Sequence, residues 1–177
     1  MITKPFETER LLLRPAKVTD AEAIYNNWTS DPAVSHFMRW NTHQSIDETI
    51  EWLTRMEAEL SNPNKTFCDW IFVLKETNQP IGSGGIFYNK THDMLEVGYC
   101  LMKSRWGQGF ATEAARGILN FAMTELGASK FFACHAKENT ASGKIIEKLG
   151  FVYKSDSQYS KFDGSQTYET REYFLEV

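Results

Sequence analysis

Two glycines separated by one residue, Gly107 and Gly109, are the feature of this sequence that most directly predicts chemistry. They follow a strand-like segment and precede an apolar segment with helical periodicity. At such a strand-to-helix corner, glycines let successive main-chain N–H groups point to one place without a Cβ in the way. The positive end of the helix dipole also attracts an anion. We therefore predict that this corner binds a pyrophosphate.

The motif differs from two common phosphate-binding patterns. A nucleoside-triphosphate loop needs Gly-Lys-Ser or Gly-Lys-Thr, and neither occurs in the chain. A dinucleotide fingerprint would need a small residue at Thr112 and would follow the first strand of a βαβ unit, whereas this corner lies past the middle of the chain. From the motif alone, a glycine-rich turn with no ligand remains the alternative.

Composition is that of an ordinary globular protein. The 177 residues are 42% hydrophobic and 24% charged, which predicts one soluble domain spanning 1–177. No apolar run is long enough to span a bilayer and no signal pattern is seen, so we expect a cytoplasmic protein without a membrane partner. The net charge of −4 disfavours nucleic acid and mildly favours a cationic substrate. We expect buried thiols and no metal site at the three cysteines, Cys68, Cys100 and Cys134.

The first third of the chain is predicted as strand, helix, loop and helix. Leu11–Arg14 is the opening strand, and Thr19 to Glu22 forms the pattern of a capping box before the first helix. Residues 31–43 are a loop of bulky and polar side chains. Ser45 to Glu48 is a second capping-box pattern, and Asn62-Pro63 ends the helix that it begins.

The rest of the chain is predicted as a mixed sheet with two further helices. The first three of its strands are joined by short links and are therefore predicted to be antiparallel. The strand before the phosphate corner, the helix after it and the next strand form one parallel βαβ unit. Strands are expected at 67–74, 80–88, 94–101, 130–135, 151–154 and 167–175, and helices at 111–126 and 139–149.

Several motifs in series resemble one enzyme family. Gly107-x-Gly109-x-Ala111 resembles the acetyl-CoA pyrophosphate loop of the GNAT N-acetyltransferase superfamily, Q/R-x-x-G-x-G/A, with Trp106 at its first position. The chain is similar to the branch containing ribosomal-protein N-terminal alanine acetyltransferases over nearly its whole length. The matching segments are Thr8 to Arg14, Asp31-Pro32-x-Val34, Leu95 to Tyr99, Glu138 to Ser142 and Lys148 to Phe151.

The resemblance implies a fold and a way to hold acetyl-CoA. The fold is α+β (mixed α/β), with a mostly antiparallel sheet, one parallel splayed pair and helices on both faces. The strand before the loop pairs its free main-chain groups with the pantetheine arm. Asn139 could also contact that arm, although N-capping of its helix is the alternative. The implied cofactor-binding residues are Cys100, Leu101, Met102, Trp106, Gly107, Gln108, Gly109, Phe110, Ala111, Thr112, Asn139 and Ser142.

Acyl transfer to an amine needs a base, a hydrogen-bond donor to the tetrahedral oxyanion and a proton donor to the leaving thiolate. Glu96 is the predicted base, acting through water, although it could be a structural carboxylate; Glu169 is the second candidate. Ser142 is the candidate proton donor, with a hydroxyl bonded back to a helix carbonyl as the alternative. The N–H near Leu101 is the expected oxyanion donor. His135 is expected to be a packed or solvated residue, with a general acid or base as the alternative.

We therefore predict an acetyl-CoA-dependent N-acetyltransferase. Freeing the lone pair of an α-amino group at pH 7 costs about 1.4 kcal/mol, against about 4.6 kcal/mol for a lysine, which favours a protein N-terminus as acceptor. The alternative acceptors are a small amine, an amino acid or an amine-bearing antibiotic. The alternative function of another class is a non-catalytic acyl-CoA sensor. The loop 31–43 and the hairpin at Asp163-Gly164 are expected to select the acceptor, and the resemblance makes a homodimer possible.

Overall fold

An eight-stranded sheet runs through the computed structural model, which describes all residues from Met1 to Val177. The strands lie in the order β1-β2-β3-β4-β5-β6-β8-β7, and only β5 and β6 are parallel. The predicted mixed sheet is therefore confirmed. The strands are β1 Phe6–Glu7, β2 Leu11–Arg14, β3 Phe67–Leu74, β4 Gln79–Asn89, β5 Met94–Leu101, β6 Lys130–Ala136, β7 Val152–Ser160 and β8 Thr167–Glu176.

Helices cover both faces of this sheet, as predicted. The helices are α1 Ala21–Ile24, α2 Pro32–Ser35, α3 Ile46–Glu59, α4 Phe110–Leu126 and α5 Thr140–Lys148, with a π-turn, Tyr25–Thr29, continuing α1. The first and third helices pack on Ile71 and Val73, whereas α4 and α5 pack on the opposite face. None of the helices combines the length and apolar character that crossing a bilayer requires.

The helix starts differ from the two predicted capping boxes. A 3-10 turn, Val18–Asp20, precedes α1, and the Asp20 carboxylate accepts the Lys17 N–H. The same carboxylate forms two 2.7 Å hydrogen bonds with the Arg14 guanidinium, so a charged pair takes the place of the predicted cap. Helix α3 does begin after Ser45, but the Ser45 side chain makes no capping hydrogen bond. Both predicted capping boxes were wrong.

The main core lies between the sheet and α4. Apolar residues recur every three or four positions along this helix, so one face is buried against the strands. The helix ends at Gly127, whose φ of 66° is left-handed and suits glycine. Helix α4 is thus anchored with its N-terminus at the end of β5.

Strands β5 and β6 separate soon after they meet. Their pairing is limited to Leu95 with Phe131 and Glu96 with Phe132. Beyond that point β5 stays paired with β4 as far as Leu101, and β6 stays paired with β8 as far as Ala136. A gap therefore opens between the two parallel strands toward the N-termini of α4 and α5. The predicted splayed pair is confirmed.

Candidate active site

The phosphate corner presents a run of main-chain N–H groups that have no partner in the chain. Both glycines have left-handed backbones, with φ of 72° at Gly107 and 83° at Gly109. The N–H groups of residues 107–112 donate to no other group of the protein. The Trp106 N–H, which we predicted as part of this set, instead donates to the Lys103 carbonyl at 3.2 Å. Six N–H groups at the start of α4 remain to bind an anion.

Arg10 supports this corner from the loop between β1 and β2. Its Nη1 donates to the Gln108 carbonyl at 3.1 Å, and its guanidinium lies 4.0 Å from the centre of the Phe110 ring. The Glu113 carboxylate accepts from the Arg10 side chain and main chain and from the Thr8 hydroxyl. Burial alone would raise the pKa of Glu113, but these hydrogen bonds outweigh it and lower the pKa.

Two further observations indicate that an anionic ligand fits here. The Nε of Arg105, just before the glycines, is buried and has no hydrogen-bond partner. A Cβ placed on Gly107 would meet no atom within 4 Å, so the space in front of that residue is open. The charge, the free N–H groups and the open space together fit a pyrophosphate.

Leu101 presents main-chain groups to the gap between β5 and β6. The Met102 N–H donates to the Ile81 carbonyl at 2.8 Å, so it points toward β4 and is not free. Because alternate residues of a strand point to opposite edges, Cys100 directs its groups to β4 too, and Leu101 directs its groups to the gap. The Leu101 carbonyl accepts the Trp106 indole N–H at 2.8 Å. Of the three predicted residues, only Leu101 has its N–H directed into the gap.

Asn139 and Ser142 lie at the start of α5, on the other side of the gap. The Asn139 Oδ1 accepts the Ser142 N–H at 3.2 Å, which confirms the N-cap, while its Nδ2 donates to no group of the chain. The Ser142 hydroxyl is 3.3 Å from the Tyr99 hydroxyl and is not bonded back to a helix carbonyl. Burial raises the pKa of Tyr99 to about 12. The sequence analysis gave Tyr99 no role in the chemistry.

Glu96 stands where the two strands part. It is the last β5 residue paired with β6, and it shares a face with Gly98 and Cys100. Its Oε2 accepts the Asn89 amide at 2.8 Å, and its Oε1 is 3.9 Å from the Cys134 sulfur. A Cβ on Gly98 would meet only the Phe87 ring, at 3.5 Å, so the surface beside Glu96 is open. We call this the acceptor face.

Glu169, the second candidate base, lies on the opposite face of the sheet. Cys134 pairs with Glu172, so Glu172 points to the acceptor face and Glu169, three residues earlier, points away. Glu169 contacts Gln158 and Lys137, and its side chain is 59% exposed. The structure does not bring Glu169 and Glu96 together. Glu172 is the acidic residue of β8 that lies beside Cys134 on the acceptor face.

The loop 31–43 and the β7–β8 hairpin contact each other beside the acceptor face. The Lys161 ammonium donates to the carbonyls of Ser35, Met38 and Trp40 at 2.9 to 3.1 Å. The Phe162 N–H donates to the Arg39 carbonyl at 2.7 Å. The two segments that we expected to select the acceptor are therefore in direct contact.

Asp69 is a buried acidic residue that sequence analysis missed. It lies on β3 opposite Gly85, which in turn pairs with Gly98, so its side chain is on the acceptor face. Burial raises the pKa of Asp69 to about 7, against a hydrogen bond from the Trp70 N–H that lowers it. The sequence signal that could have revealed Asp69 was a single acidic residue within an otherwise apolar strand.

The remaining histidine and cysteine predictions can now be assessed. His135 is a packed residue, as expected: its Nε2 is 3.2 Å from the Tyr173 hydroxyl, and its ring fills the space beside Gly143. All three cysteines are free thiols. Burial raises the pKa of Cys134 to about 12, helped by the nearby Glu96. No group of three or more His, Cys, Asp or Glu side chains has an arrangement that could hold a metal ion.

A parallel pair that splits above an anion-binding helix start, with acidic groups on one face, is the arrangement of an acyl-transfer enzyme that takes a phosphate-bearing donor. Residues 10–152 match the family model described as an acetyltransferase (GNAT) domain. The chain belongs to the GNAT acetyltransferase family, and it is an acetyltransferase.

Relatives and solved structures agree with this membership. The chain is 30% identical over 146 residues to the uncharacterized N-acetyltransferase p20 of Bacillus licheniformis, covering 81% of this chain and 80% of that protein. It is 27% identical over 170 residues to the uncharacterized N-acetyltransferase YoaA of Bacillus subtilis, covering 96% and 94%.

Two solved structures share the fold. The ribosomal-protein-S5-alanine acetyltransferase of Vibrio fischeri superposes with a TM-score of 0.77 at 21% identity, covering 98% of this chain and 96% of that one. The microcin C7 self-immunity acetyltransferase MccE, in complex with acetyl-CoA and AMP, superposes with a TM-score of 0.79 at 16% identity, covering 96% and 93%.

Proposed function

We propose that this protein transfers an acetyl group from acetyl-CoA directly to an α-amino group, with a protein N-terminus as the leading acceptor. The observation that carries the proposal is the run of six unpartnered N–H groups at the open end of the split between β5 and β6, with Glu96 at the closed end. One end suits a pyrophosphate, and the other holds a base. The proposed protein is a single cytoplasmic domain, and a homodimer stays a prediction.

The chain offers a continuous path for the donor. Residues 107–112 and Arg105 would hold the pyrophosphate, and the Leu101 N–H and Asn139 Nδ2 would hold the pantetheine arm. Acetyl-CoA would supply the acetyl group as a thioester. Because the Leu101 N–H is directed into the gap, it is also the proposed donor to the tetrahedral oxyanion.

The acid–base steps fall to residues on both sides of the gap. Glu96, fixed by Asn89, takes the proton of the incoming ammonium through a water molecule, which frees the lone pair for attack. As the new C–N bond forms and the C–S bond breaks, the nitrogen gives up its second proton and the departing sulfur receives one from the Ser142 hydroxyl, which regains a proton through water. Tyr99 orients that hydroxyl.

The acceptor face supports an amine substrate. Glu96 and Glu172 both act on the Cys134 thiol electrostatically, so two carboxylates lie close together there. An ammonium is attracted to such a surface. The deprotonation cost of an α-amino group is about 3 kcal/mol below that of a lysine at pH 7, which supports an α-amino acceptor. The Vibrio fischeri protein, which is called a ribosomal-protein-S5-alanine acetyltransferase, also supports an α-amino acceptor.

The test is acetyl-CoA-dependent thiol release with a panel of acceptors. The panel contains peptides with free N-termini, the same peptides blocked at the N-terminus but carrying lysine, free amino acids and simple amines. Release with free N-termini and not with blocked lysine peptides supports the proposal. Release with small amines alone would assign a small-molecule acetyltransferase. Binding of acetyl-CoA in calorimetry without release from any acceptor would assign a non-catalytic sensor.

A further inference from the structure

Arg39 carries a guanidinium on the acceptor face that no carboxylate neutralises. It stands in the loop 31–43, and no Asp or Glu oxygen lies within 4.0 Å of its nitrogens. Its guanidinium carbon is 5.0 Å from the centre of the Tyr159 ring. The guanidinium also lies beside the Cys134 thiol, where its charge acts to lower the thiol pKa. An exposed cation is therefore held near the two carboxylates, Glu96 and Glu172, that also act on this thiol.

Glu96 and Arg39 both lie near the Cys134 side chain. The Cys134 thiol donates to the Glu96 Oε1 at an S···O distance of 3.9 Å. The Arg39 guanidinium lies over the Tyr159 ring, and Cys134 packs against the cluster that contains this ring, so the carboxylate and the guanidinium are separated by on the order of 8 Å. A base and an anion-binding group thus stand within reach of one small chemical unit.

An α-aminoacyl unit has the dimensions to bridge these two groups. Standard bond lengths separate its nitrogen from its carbonyl or carboxylate oxygen by about 3 Å. One hydrogen bond of about 2.8 Å to Arg39, and one that the ammonium makes directly to Glu96 before the water-mediated proton transfer, give a total of about 8 to 9 Å. A simple amine could satisfy Glu96 but would leave Arg39 without a partner.

Resting on the function proposed above, we propose that Arg39 binds the oxygen adjacent to the α-amino group of the acceptor. Arg39 thereby selects α-amino acceptors over amines that lack that oxygen. The shared chemistry is the N–Cα–C=O unit, which a peptide N-terminus and a free amino acid both present. A peptide presents a neutral carbonyl and an amino acid presents a carboxylate, so the experiment separates the two sources.

The position of Arg39 is set before any substrate binds. The Phe162 N–H holds its carbonyl, and the Lys161 ammonium holds the carbonyls of both neighbours, Met38 and Trp40. Little main-chain entropy is then lost when the guanidinium engages an oxygen. The planar donor set of arginine suits a carbonyl or carboxylate better than the point charge of lysine.

The experiment compares acceptors that differ only in the proposed oxygen. Thiol-release kcat/KM is measured for alaninamide, alanine and isopropylamine with wild type, Arg39→Leu and Arg39→Lys. We expect Arg39→Leu to lower kcat/KM for alaninamide ~10- to 100-fold, mainly through KM, because a hydrogen bond to a charged group is lost. Isopropylamine should change less than twofold, and Arg39→Lys should fall between. A larger loss for alanine than for alaninamide would identify the free amino acid as the source.

Arg171→Leu is the matched control. Arg171 is an exposed arginine on the opposite face of β8, also without an ion pair, so it should leave every rate and KM unchanged. If Arg39→Leu lowered kcat/KM equally for isopropylamine and alaninamide, Arg39 would only pack against Tyr159 and the proposal would be overturned. Unchanged kcat/KM values for both acceptors would also overturn it. Unchanged acetyl-CoA affinity in the Arg39 variants shows that they are folded.

A binding measurement separates this proposal from the proposed function. Alaninamide is titrated by calorimetry into the protein saturated with coenzyme A. Weaker binding to Arg39→Leu than to wild type would support the role of Arg39 even if no acceptor released thiol. Equal binding would overturn it even if acetyl transfer were observed.

Discussion

The guanidinium of Arg10 and the carboxylate of Glu113 form an ion pair with 2.7 Å between Nε and Oε2. The pair joins the loop between β1 and β2 to the first turn of α4. Because Arg10 also contacts the Gln108 carbonyl and the Phe110 ring, it fixes the corner that we assign to the pyrophosphate. The opening segment of the chain thus shapes a site whose N–H groups lie about a hundred residues further on.

Glu113→Gln should destabilise the fold in a pH-dependent way. The folded pKa of Glu113 is below the ordinary value of a glutamate, so its stabilisation is present at neutral pH and is lost as pH falls through the folded pKa. We expect a loss of about 1–2 kcal/mol in unfolding free energy at pH 7, shrinking below pH 4. Urea unfolding at several pH values measures it.

Glu125→Gln is the control for this prediction. Glu125 pairs with Lys4 at 2.6 Å, but both side chains are well exposed, so its removal should cost at most about 0.5 kcal/mol. Equal losses in the two variants, or a Glu113→Gln loss that grows toward low pH, would contradict the assignment.

Gly107→Ala should separate backbone strain from cofactor binding when it is compared with Gly164→Ala. The two glycines have φ of 72° and 74°, and a Cβ on either meets no atom within 4 Å. Each variant should lose about 1–2 kcal/mol of stability from left-handed backbone strain. Only Gly107→Ala should weaken acetyl-CoA binding, by about tenfold or more, because its methyl group stands in front of the free N–H groups.

Calorimetric titration of acetyl-CoA gives the affinities, and thermal unfolding gives the stabilities. Unchanged affinity in Gly107→Ala would remove the corner from the binding site. Equal weakening in both variants would show that the effect comes from stability alone.

Glu96→Gln tests the base. Losing a general base should lower kcat by about 10²–10⁴-fold at neutral pH while the Kd for acetyl-CoA stays within twofold. Glu169→Gln, on the opposite face, is the matched variant and should keep kcat. Thiol-release kinetics across pH 6 to 9 measure both variants. A drop for Glu169→Gln with no change for Glu96→Gln would exchange the two roles.

Asp69→Asn should stabilise the protein at neutral and alkaline pH. The folded pKa of Asp69 is about 7, above the ordinary value of an aspartate, so the folded state binds more protons than the unfolded state between these two values. Stability is therefore lost as pH rises through this window. We expect Asp69→Asn to exceed wild type by roughly 2–4 kcal/mol at pH 8 and to match it near pH 4.

Urea unfolding from pH 4 to pH 8 measures this difference. Glu51→Gln, an exposed position on α3, should show no such trend. A variant that is less stable than wild type at pH 8 would show that the Asp69 carboxylate is stabilised by a charge, and the direction assigned to its pKa would be wrong.

Local sequence patterns were sufficient for most of the fold. Apolar runs bounded by turn residues gave β3 and β5 with their observed bounds, and the helical stripe ended by Gly127 gave α4 to within a residue of its start. These patterns depend on neighbouring residues alone, so sequence carries them. Strand β7 runs to Ser160, well beyond the predicted 151–154, because its later half is polar and its partner β8 extends it.

Local hydrogen bonds were harder to predict. The Met102 and Trp106 N–H groups, both expected to be free, are taken up by Ile81 and Lys103. The expected capping box near Thr19 gave way to the pair of Asp20 with Arg14. In each case a partner chosen by the folded chain displaced the one that the sequence pattern favoured.

The sequence by itself was sufficient to identify the family motifs, the glycine corner and Glu96 as the candidate base. Each of these features depends on residue types that are close together along one element. Only the tertiary structure decided that Glu172 rather than Glu169 shares the acceptor face, since a shift of one residue in strand register reverses every side chain. It also brought Arg39 and Glu96 to the neighbourhood of the same cysteine, Cys134. Those three residues come from separate elements, and packing of the whole chain is what brings them together.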